Sequence, residues 1–496
     1  MDTQANRVDL TRYVSNLDRN VYAIYNLPEE VIAVIFAYVS RSPASFRDNL
    51  AKLLQDEELA VSATAGGMAT VNSQKAARFH EKWVVGYGHS SVAEHAVAHL
   101  GVEQISRLAS AELELANTFN SFTEYSQRYQ RPQRGAVYIP ASLPERERQE
   151  YLALQEAAFD TYEALLQGLI PHLSQTLSRQ EGESDKRFQS RVEKIAFEDA
   201  RYVLTLATYT SLGLTGNGRA LRDTLVRLLS SPNLESRQLA QDLEREISQV
   251  IPTLLKHVKP SQYHLETRRE LDQLPLNPPG SDLQGESFTG PRARFVDLID
   301  YDQALTHVCI QLLISHKGMD RATVAETVQS WSRELKEDCV ERALKHLRFF
   351  DNPRDEFRHL SYHMEMQLSE ANWHQLLRHN RGTHFSFAEP TIRFGYTIPP
   401  HIREAGLTET YQQFIARAED HYMRIKDEHP EAAPYCVTNA HHRQITATAS
   451  LWEMYHLINL RTSPEAQWDI RETFAQLHHQ LSKHHPALAR YAQRRM

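Results

Sequence analysis

Cysteine is scarce: Cys309, Cys339 and Cys436 are the only three in 496 residues, and no two form a CxxC pair. That excludes a disulfide framework and a cysteine-based zinc site. Long apolar runs are missing as well. No stretch approaches the ~20 residues that cross a bilayer, and the opening MDTQANRVDLTRY has no apolar signal core, so the sequence predicts a cytoplasmic protein with no membrane partner. Excess positive charge is also absent. The 55 basic and 63 acidic side chains leave a net charge of −8, which argues against a stable nucleic-acid partner but leaves room for a local phosphate pocket. With 41% hydrophobic residues the chain is too apolar to be disordered.

The length exceeds one compact core, so two or more domains are expected. Apolar residues recur at helical spacing in 150–176, 219–258, 304–314 and 408–426, and the pattern at Met364–Leu377 also predicts helix. Short β-branched or aromatic segments such as Ala136–Ile139 end at prolines and read as strands. The class is therefore α+β, helix-rich with a small sheet. Proline and glycine cluster at 274–293, which predicts a linker between a first domain, 1–273, and a second, 294–496.

The two halves repeat. Ser121-Phe-Thr-Glu-Tyr-Ser-Gln-Arg-Tyr129 has a counterpart in Ser386-Phe-Ala-Glu-Pro-Thr-Ile-Arg-Phe394. His95 precedes the first copy by 26 residues and His359 the second by 27, and each copy leads to an Ile-Pro, at Ile139 and Ile398. Three ordered landmarks at nearly equal spacing indicate two diverged copies of one domain, which should superpose with Ser121 on Ser386.

Two segments carry candidate chemistry. In Gly88-His-Ser-Ser-Val-Ala-Glu-His95, hydroxyls and unpaired amides at a helix start suit an anionic ligand, and equally a plain Ser-capped helix. In Gln375-Leu-Leu-Arg-His-Asn-Arg381, two guanidinium forks and an imidazole suit phosphate oxygens and a heterocycle, and equally a solvated basic helix end. The 25 histidines include the tail HHQLSKHH, which lacks a carboxylate. Solvated helix faces are expected there, and no metal site.

Together these segments resemble the flavin-dependent thymidylate synthases. That family is marked by Gly-His-x-[Ser/Thr]-x-x-Glu-His, Gln-x-x-Arg-His-Arg, Ser-x-x-Glu-x-Ser-x-Arg-Tyr, and later an Arg, an Asn-x-Arg and an Asn-Leu-Arg. The first copy matches at His89, Ser91 and Glu94, at Glu124, Ser126, Arg128 and Tyr129, and at Arg201, Asn217 and Arg219. It reads Ala116-Asn117-Thr118 for Arg-His-Arg, and Leu228-Leu229-Ser230 for Asn-Leu-Arg. The second copy supplies Gln375, Arg378, His379, Arg381 and Asn459-Leu460-Arg461. It departs elsewhere, with Arg358 for the Glu of Glu-His, Thr391 for the key Ser and Ser450-Leu451-Trp452 for Asn-x-Arg. Losses that complement one another predict a single composite site.

The resemblance implies two repeated thymidylate-synthase-complementing-type domains. It implies reductive methylation of deoxyuridine monophosphate (dUMP) to dTMP, with methylenetetrahydrofolate as co-substrate, FAD as cofactor and NADPH as reductant. By the same resemblance Ser126, Arg128 and Arg381 are catalytic, and with Arg201 and Gln375 bind the nucleotide. His89, Ser91, Glu94, Glu124, Asn217, Arg378, His379 and Arg461 bind FAD. None of the three cysteines lies in these motifs, which disfavours a cysteine nucleophile. Such enzymes assemble from four single domains, so a homodimer is expected here. The alternatives are a flavoenzyme acting on another pyrimidine nucleotide or nucleic-acid base, and a non-catalytic nucleotide-binding scaffold.

Overall fold

The computed structural model describes residues 9–39, 44–55, 62–63, 69–70, 90–255, 258–275 and 290–494. They form two compact units. The first comprises Met1–Ile105, Glu112–Tyr125 and Thr210–Asn277; the second comprises Ser106–Ala111, Ser126–Tyr209 and Pro278–Met496. The units do not follow the two sequence copies, because 126–209 of the first copy folds with the second. Of the expected linker, 276–289 lie outside the described residues, and Arg292 and Ala293 already belong to a strand. Among the described residues no helix is long and apolar enough to cross a membrane.

In the first unit β1 (Ser62–Ala63) pairs with β2 (Ala69–Thr70). A separate sheet joins β3 (Val97–Ser106), β4 (Ser121–Glu124) and β5 (Tyr209–Asn217) in the order β3-β5-β4. Asn217 ends β5 and caps helix Gly218–Leu229, its Oδ1 accepting from Ala220 N at 2.9 Å. Gly216 must lack a side chain, since a Cβ would strike Asn120 Oδ1 and lie 2.9 Å from Leu221. The helix expected over 219–258 is broken at Pro232, which cannot donate a backbone hydrogen bond. Asn233 then caps a second helix, Leu234–Val250, accepting from Glu235 N at 3.0 Å.

The second unit holds a four-stranded antiparallel sheet, β6 (Arg292–Val296), β7 (Ser361–Ser369), β8 (Thr383–Phe387) and β9 (His442–Ser450), in the order β6-β7-β9-β8. Part of the helix expected at Met364–Leu377 is strand. Tyr362, Met364, Met366 and Leu368 are buried at a period of two, and helix begins only at Glu370. Long helices of both copies build one core here. Tyr151, Leu154, Leu165 and Leu169 of helix Glu145–Thr176 share it with Tyr411, Ile415 and Ala418 of helix Thr408–Ile425. In the tail expected on a solvated face, His485 is buried instead and bonds Tyr362 Oη at 2.8 Å. Outside it, His442 is buried and bonds Thr397 Oγ1 at 2.7 Å.

The copies share one topology, β3, β5 and β4 corresponding to β7, β9 and β8. Ser106 and Ser369 cap the helices after β3 and β7, and Asn217 and Ser450 cap those after β5 and β9. Backbone bonds repeat in step: Tyr138 N to Ala207 O at 2.9 Å recurs as Thr397 N to Ala440 O at 3.0 Å. Alignment on these caps corrects the expected superposition. Ser121 pairs with Thr215, and the matching Thr448 pairs with His384, so Ser386 lies two residues further along. A slip of two keeps a side chain on the same face, which is why the motif match survives it.

Inside the second unit the copies meet about a local two-fold. Leu206 N donates to Val437 O at 2.9 Å and Asn439 N to Leu204 O at 2.8 Å, around the bridge Thr205–Thr438. Thr205 and Thr438 hold the same place in the two copies, so this contact is self-complementary, as in a symmetric dimer.

Candidate active site

Two helix ends of the second copy converge. Helix Glu370–Leu376 runs into a 3-10 turn at Leu377–His379, and helix Leu451–Arg461 closes on Arg461. Arg461 donates from Nε to His379 Nε2 and from Nη2 to the Gln375 carbonyl, each at 2.9 Å. The first copy contributes the end of helix Asp185–Ala200, with Glu198, and the turn Arg201–Val203. Arg128, on the loop after β4, donates to Glu198 Oε1 at 2.7 Å and to the Glu465 carbonyl at 3.2 Å.

A buried hydrogen-bond chain joins the copies beneath these arginines. Gln375 Nε2 donates to Gln467 Oε1 at 3.2 Å, and Gln467 Nε2 donates to Tyr202 Oη at 3.1 Å. The Tyr202 hydroxyl donates to Asp469 at 2.7 Å, and Asp469 also accepts from Ser369 at 2.5 Å and Asn372 at 2.9 Å. Asn439 fixes the turn by donating to the Arg201 carbonyl at 2.9 Å. Three hydrogen bonds to one carboxylate favour its charge, against the burial that raises its pKa.

Positive charge is concentrated here. Burial lowers the Arg461 pKa to about 10, with Arg378 and Arg128 adding to the shift. Burial also lowers that of Arg201, whose Nη2 is buried without a hydrogen-bond partner. His379 is held well below the usual imidazole range by burial and then by Arg461, so it is neutral. An incoming anion would relieve each of these penalties.

Ser126 is half-buried, and its Oγ accepts from Arg128 N at 3.3 Å. Arg378 and Arg381 are exposed on and just after the 3-10 turn. Arg128, Arg201, Gln375, Arg378, His379, Arg381 and Arg461 therefore all belong to the second unit, together with Ser126. Ser91, Glu94, Glu124 and Asn217 belong to the first. There Glu94 pairs with Arg219 at 2.7 Å, Glu124 accepts from Thr210 Oγ1 at 3.1 Å, and Asn217 serves as the helix cap. His89 lies outside the described residues.

The helix caps refine which residues replaced the missing cations. Leu115 and Ala116 stand where the second copy has Arg378 and His379, one position earlier than the motif match places them, and Leu228 stands where it has Arg461. The chemistry is absent in either alignment. The bond between Gln375 and Gln467 has its counterpart in Glu112 and Asn233, 3.4 Å apart.

Motif matching missed Arg107, Glu198, Tyr202, Glu453 and Asp469. Arg107 is buried at the first position of helix Arg107–Ala116. That placement was a legible signal, because a helix N-terminus repels a cation. Burial raises the Glu453 pKa to about 7. Ligand atoms of His379, Glu453 and His456 lie within 4.8 Å of one another. Because Arg461 donates to His379 Nε2, the ring proton sits on Nδ1, facing Glu453 Oε1 at 3.9 Å. A cation would meet an N–H and a guanidinium there, so the cluster suits a proton held between imidazole and carboxylate.

Residues 25–253 and 297–487 match the family described as thymidylate synthase complementing protein, one segment in each copy. A UPF0159 protein of Chlamydia pneumoniae is 26% identical over 96% of this chain and 92% of its own. The flavin-dependent thymidylate synthase of Saccharolobus solfataricus is 28% identical over 38% of this chain and 68% of its own. A crystal structure of PolB from Streptomyces cacaoi, a UMP/dUMP methylase bound with 5-Br dUMP, covers 42% of this chain and 99% of its own, at 16% identity and a TM-score of 0.35.

Proposed function

Since the chain belongs to the thymidylate synthase complementing protein family, we propose that it methylates dUMP reductively to dTMP, with methylenetetrahydrofolate, FAD and NADPH, in one composite site per chain. The observation that carries this reading is the joining of Arg128 and Arg201 from one copy with Gln375, His379 and Arg461 from the other, through the Gln375–Gln467–Tyr202 chain. Losses scattered by drift would not leave Arg128, Arg201, Arg378, Arg381 and Arg461 together in one compact unit.

The donors suit a phosphorylated flavin and a nucleotide. Arginine forks bind phosphate oxygens bidentately, and Arg201 Nη2 is a buried donor with no protein acceptor. In this reading Arg128, Arg201, Arg381, Gln375 and Ser126 hold dUMP, neutralising its phosphate and orienting the uracil. Arg378, His379 and Arg461 hold FAD; Ser91, Glu94, Glu124 and Asn217, matched to the family by motif, stand in the first unit. FAD, when bound, would supply the two-electron chemistry that brings the carbon transferred to the uracil to the methyl level. Glu453 and His379 would keep a proton next to that site. A cytoplasmic homodimer completes the proposal.

The deciding assay mixes the purified yellow protein with dUMP, methylenetetrahydrofolate and NADPH. Formation of dTMP, lost in Arg128→Ala and in Arg461→Ala, is the expected result. A colourless protein that binds dUMP without turnover would replace the proposal with the scaffold reading. Turnover of another pyrimidine nucleotide alone would replace the substrate.

A further inference from the structure

Cys309 and Cys339 stand 30 positions apart, on helix Tyr301–Lys317 and helix Arg333–Leu344, away from every residue assigned above. The folded chain brings them together. The Cys309 thiol donates to the Lys336 carbonyl at 3.4 Å, one helical turn before Cys339, and lies close enough to the Cys339 sulfur for each thiol to shift the pKa of the other. Cys309 is fully buried and Cys339 only partly so. Cys339 lines a cavity of about 650 Å³, with His316, Lys317, Trp331, Asp338 and Arg342 among its walls.

We infer that Cys339 and Cys309 form an oxidisable dithiol, with Cys339 the sulfur that meets a small peroxide entering the cavity and Cys309 the sulfur that resolves it into a disulfide. Cys339 has the attributes of the first partner: access from the cavity, with the Arg342 guanidinium in the same wall. Cys309 has those of the second, being buried, within bonding reach and shielded from the oxidant. The Cys309 thiol lowers the Cys339 pKa, and Arg342 adds to that effect against burial and Asp338. The Cys309 pKa is raised, first by Cys339 and then by burial.

The step balances. The Cys339 thiolate attacks a peroxide oxygen, the O–O bond breaks, and a sulfenic acid and hydroxide form. Cys309 sulfur then displaces that oxygen as water, the S–S bond forms, and the Cys309 proton ends on water or hydroxide. Two thiols lose two electrons and the peroxide gains them. The product ties two packed helices together at the wall of the cavity. Cys436 is fully buried, with its pKa raised by burial, and serves as the internal control.

The test uses the full chain, treated with hydrogen peroxide, denatured, alkylated and weighed. A mass about 2 Da lower before alkylation, one alkylated thiol afterwards instead of the three in the sequence, and a cross-linked peptide joining Cys309 to Cys339 are expected. Dithiothreitol should restore all three. In Cys309→Ser the sulfenic acid on Cys339 should persist and react with dimedone, and in Cys339→Ser peroxide should consume no thiol over the same interval. Thermal unfolding of both variants before oxidation checks that each is folded. Three alkylated thiols after peroxide, oxidation of Cys436 at the same rate, or a cross-link between chains would each overturn the inference.

Discussion

Replacing Arg461 with methionine should separate binding from folding. The lowering of its pKa from 12.5 to about 10 corresponds to a penalty on the cation of roughly 3 kcal/mol, at about 1.4 kcal/mol per unit. Methionine removes that penalty. It also removes two hydrogen bonds, to His379 and Gln375, each worth about 1 kcal/mol net. The two effects nearly cancel, so urea unfolding of the ligand-free variant should fall within about 1 kcal/mol of the parent. Ligand affinity should not survive. Deleting a buried charge from a charge-recognising contact costs about 2–5 kcal/mol, a loss of roughly 30-fold or more at 1.4 kcal/mol per decade. Flavin retained on gel filtration and dUMP titration measure it. A variant destabilised by more than about 3 kcal/mol that still binds both ligands at parental affinity would make Arg461 a folding residue and not a ligand-binding one.

Tyr202→Phe removes the donor to Asp469 and the acceptor for Gln467, and should cost about 1–3 kcal/mol of stability together with dUMP affinity; an unchanged KM would detach Gln375 from that chain. Burial holds the folded Glu453 pKa at about 7 against an ordinary glutamate value of 4.5, so its charge destabilises the protein above pH 7 and the cost fades as pH falls toward 4.5. Glu453→Gln should therefore be more stable than the parent by up to about 3 kcal/mol at pH 8 and by under about 1 at pH 5; equal gains at both pH values would show that Glu453 does not titrate there. Since the first copy has Leu115, Ala116 and Leu228 where the second has its cations, flavin should bind at one per chain, and two per chain by absorbance would contradict a single site.

The repeat, and the complementary losses within it, were legible because the motifs combine rare residue types in fixed order. Arg461 and Gln375 could be named from Asn-Leu-Arg and Gln-x-x-Arg before any contact was known. Register was not legible: pairing places His384, not Ser386, opposite Thr448, and a two-residue slip that preserves the face leaves no mark on an apolar pattern. The helix expected at Met364–Leu377 failed for a related reason. Met364, Met366 and Leu368 fit a period of two, and they run directly into a helix whose own apolar residues mask the change. The compact units were hidden because 126–209 packs on residues over 200 positions away, as Tyr202 does on Asp469. Nor could the thiol pair be seen, since 30 positions separate two cysteines that share no motif.

A double-mutant cycle decides whether both copies build one site. Arg128→Ala, Arg461→Ala and the double variant are each titrated with dUMP in the flavin-loaded protein. Arg128 and Arg461 are close enough that the charge of one lowers the pKa of the other, so their effects should be non-additive, with an interaction energy of about 0.5–3 kcal/mol. Losses that add to within about 0.3–0.5 kcal/mol would place the two arginines in independent sites and contradict the composite account.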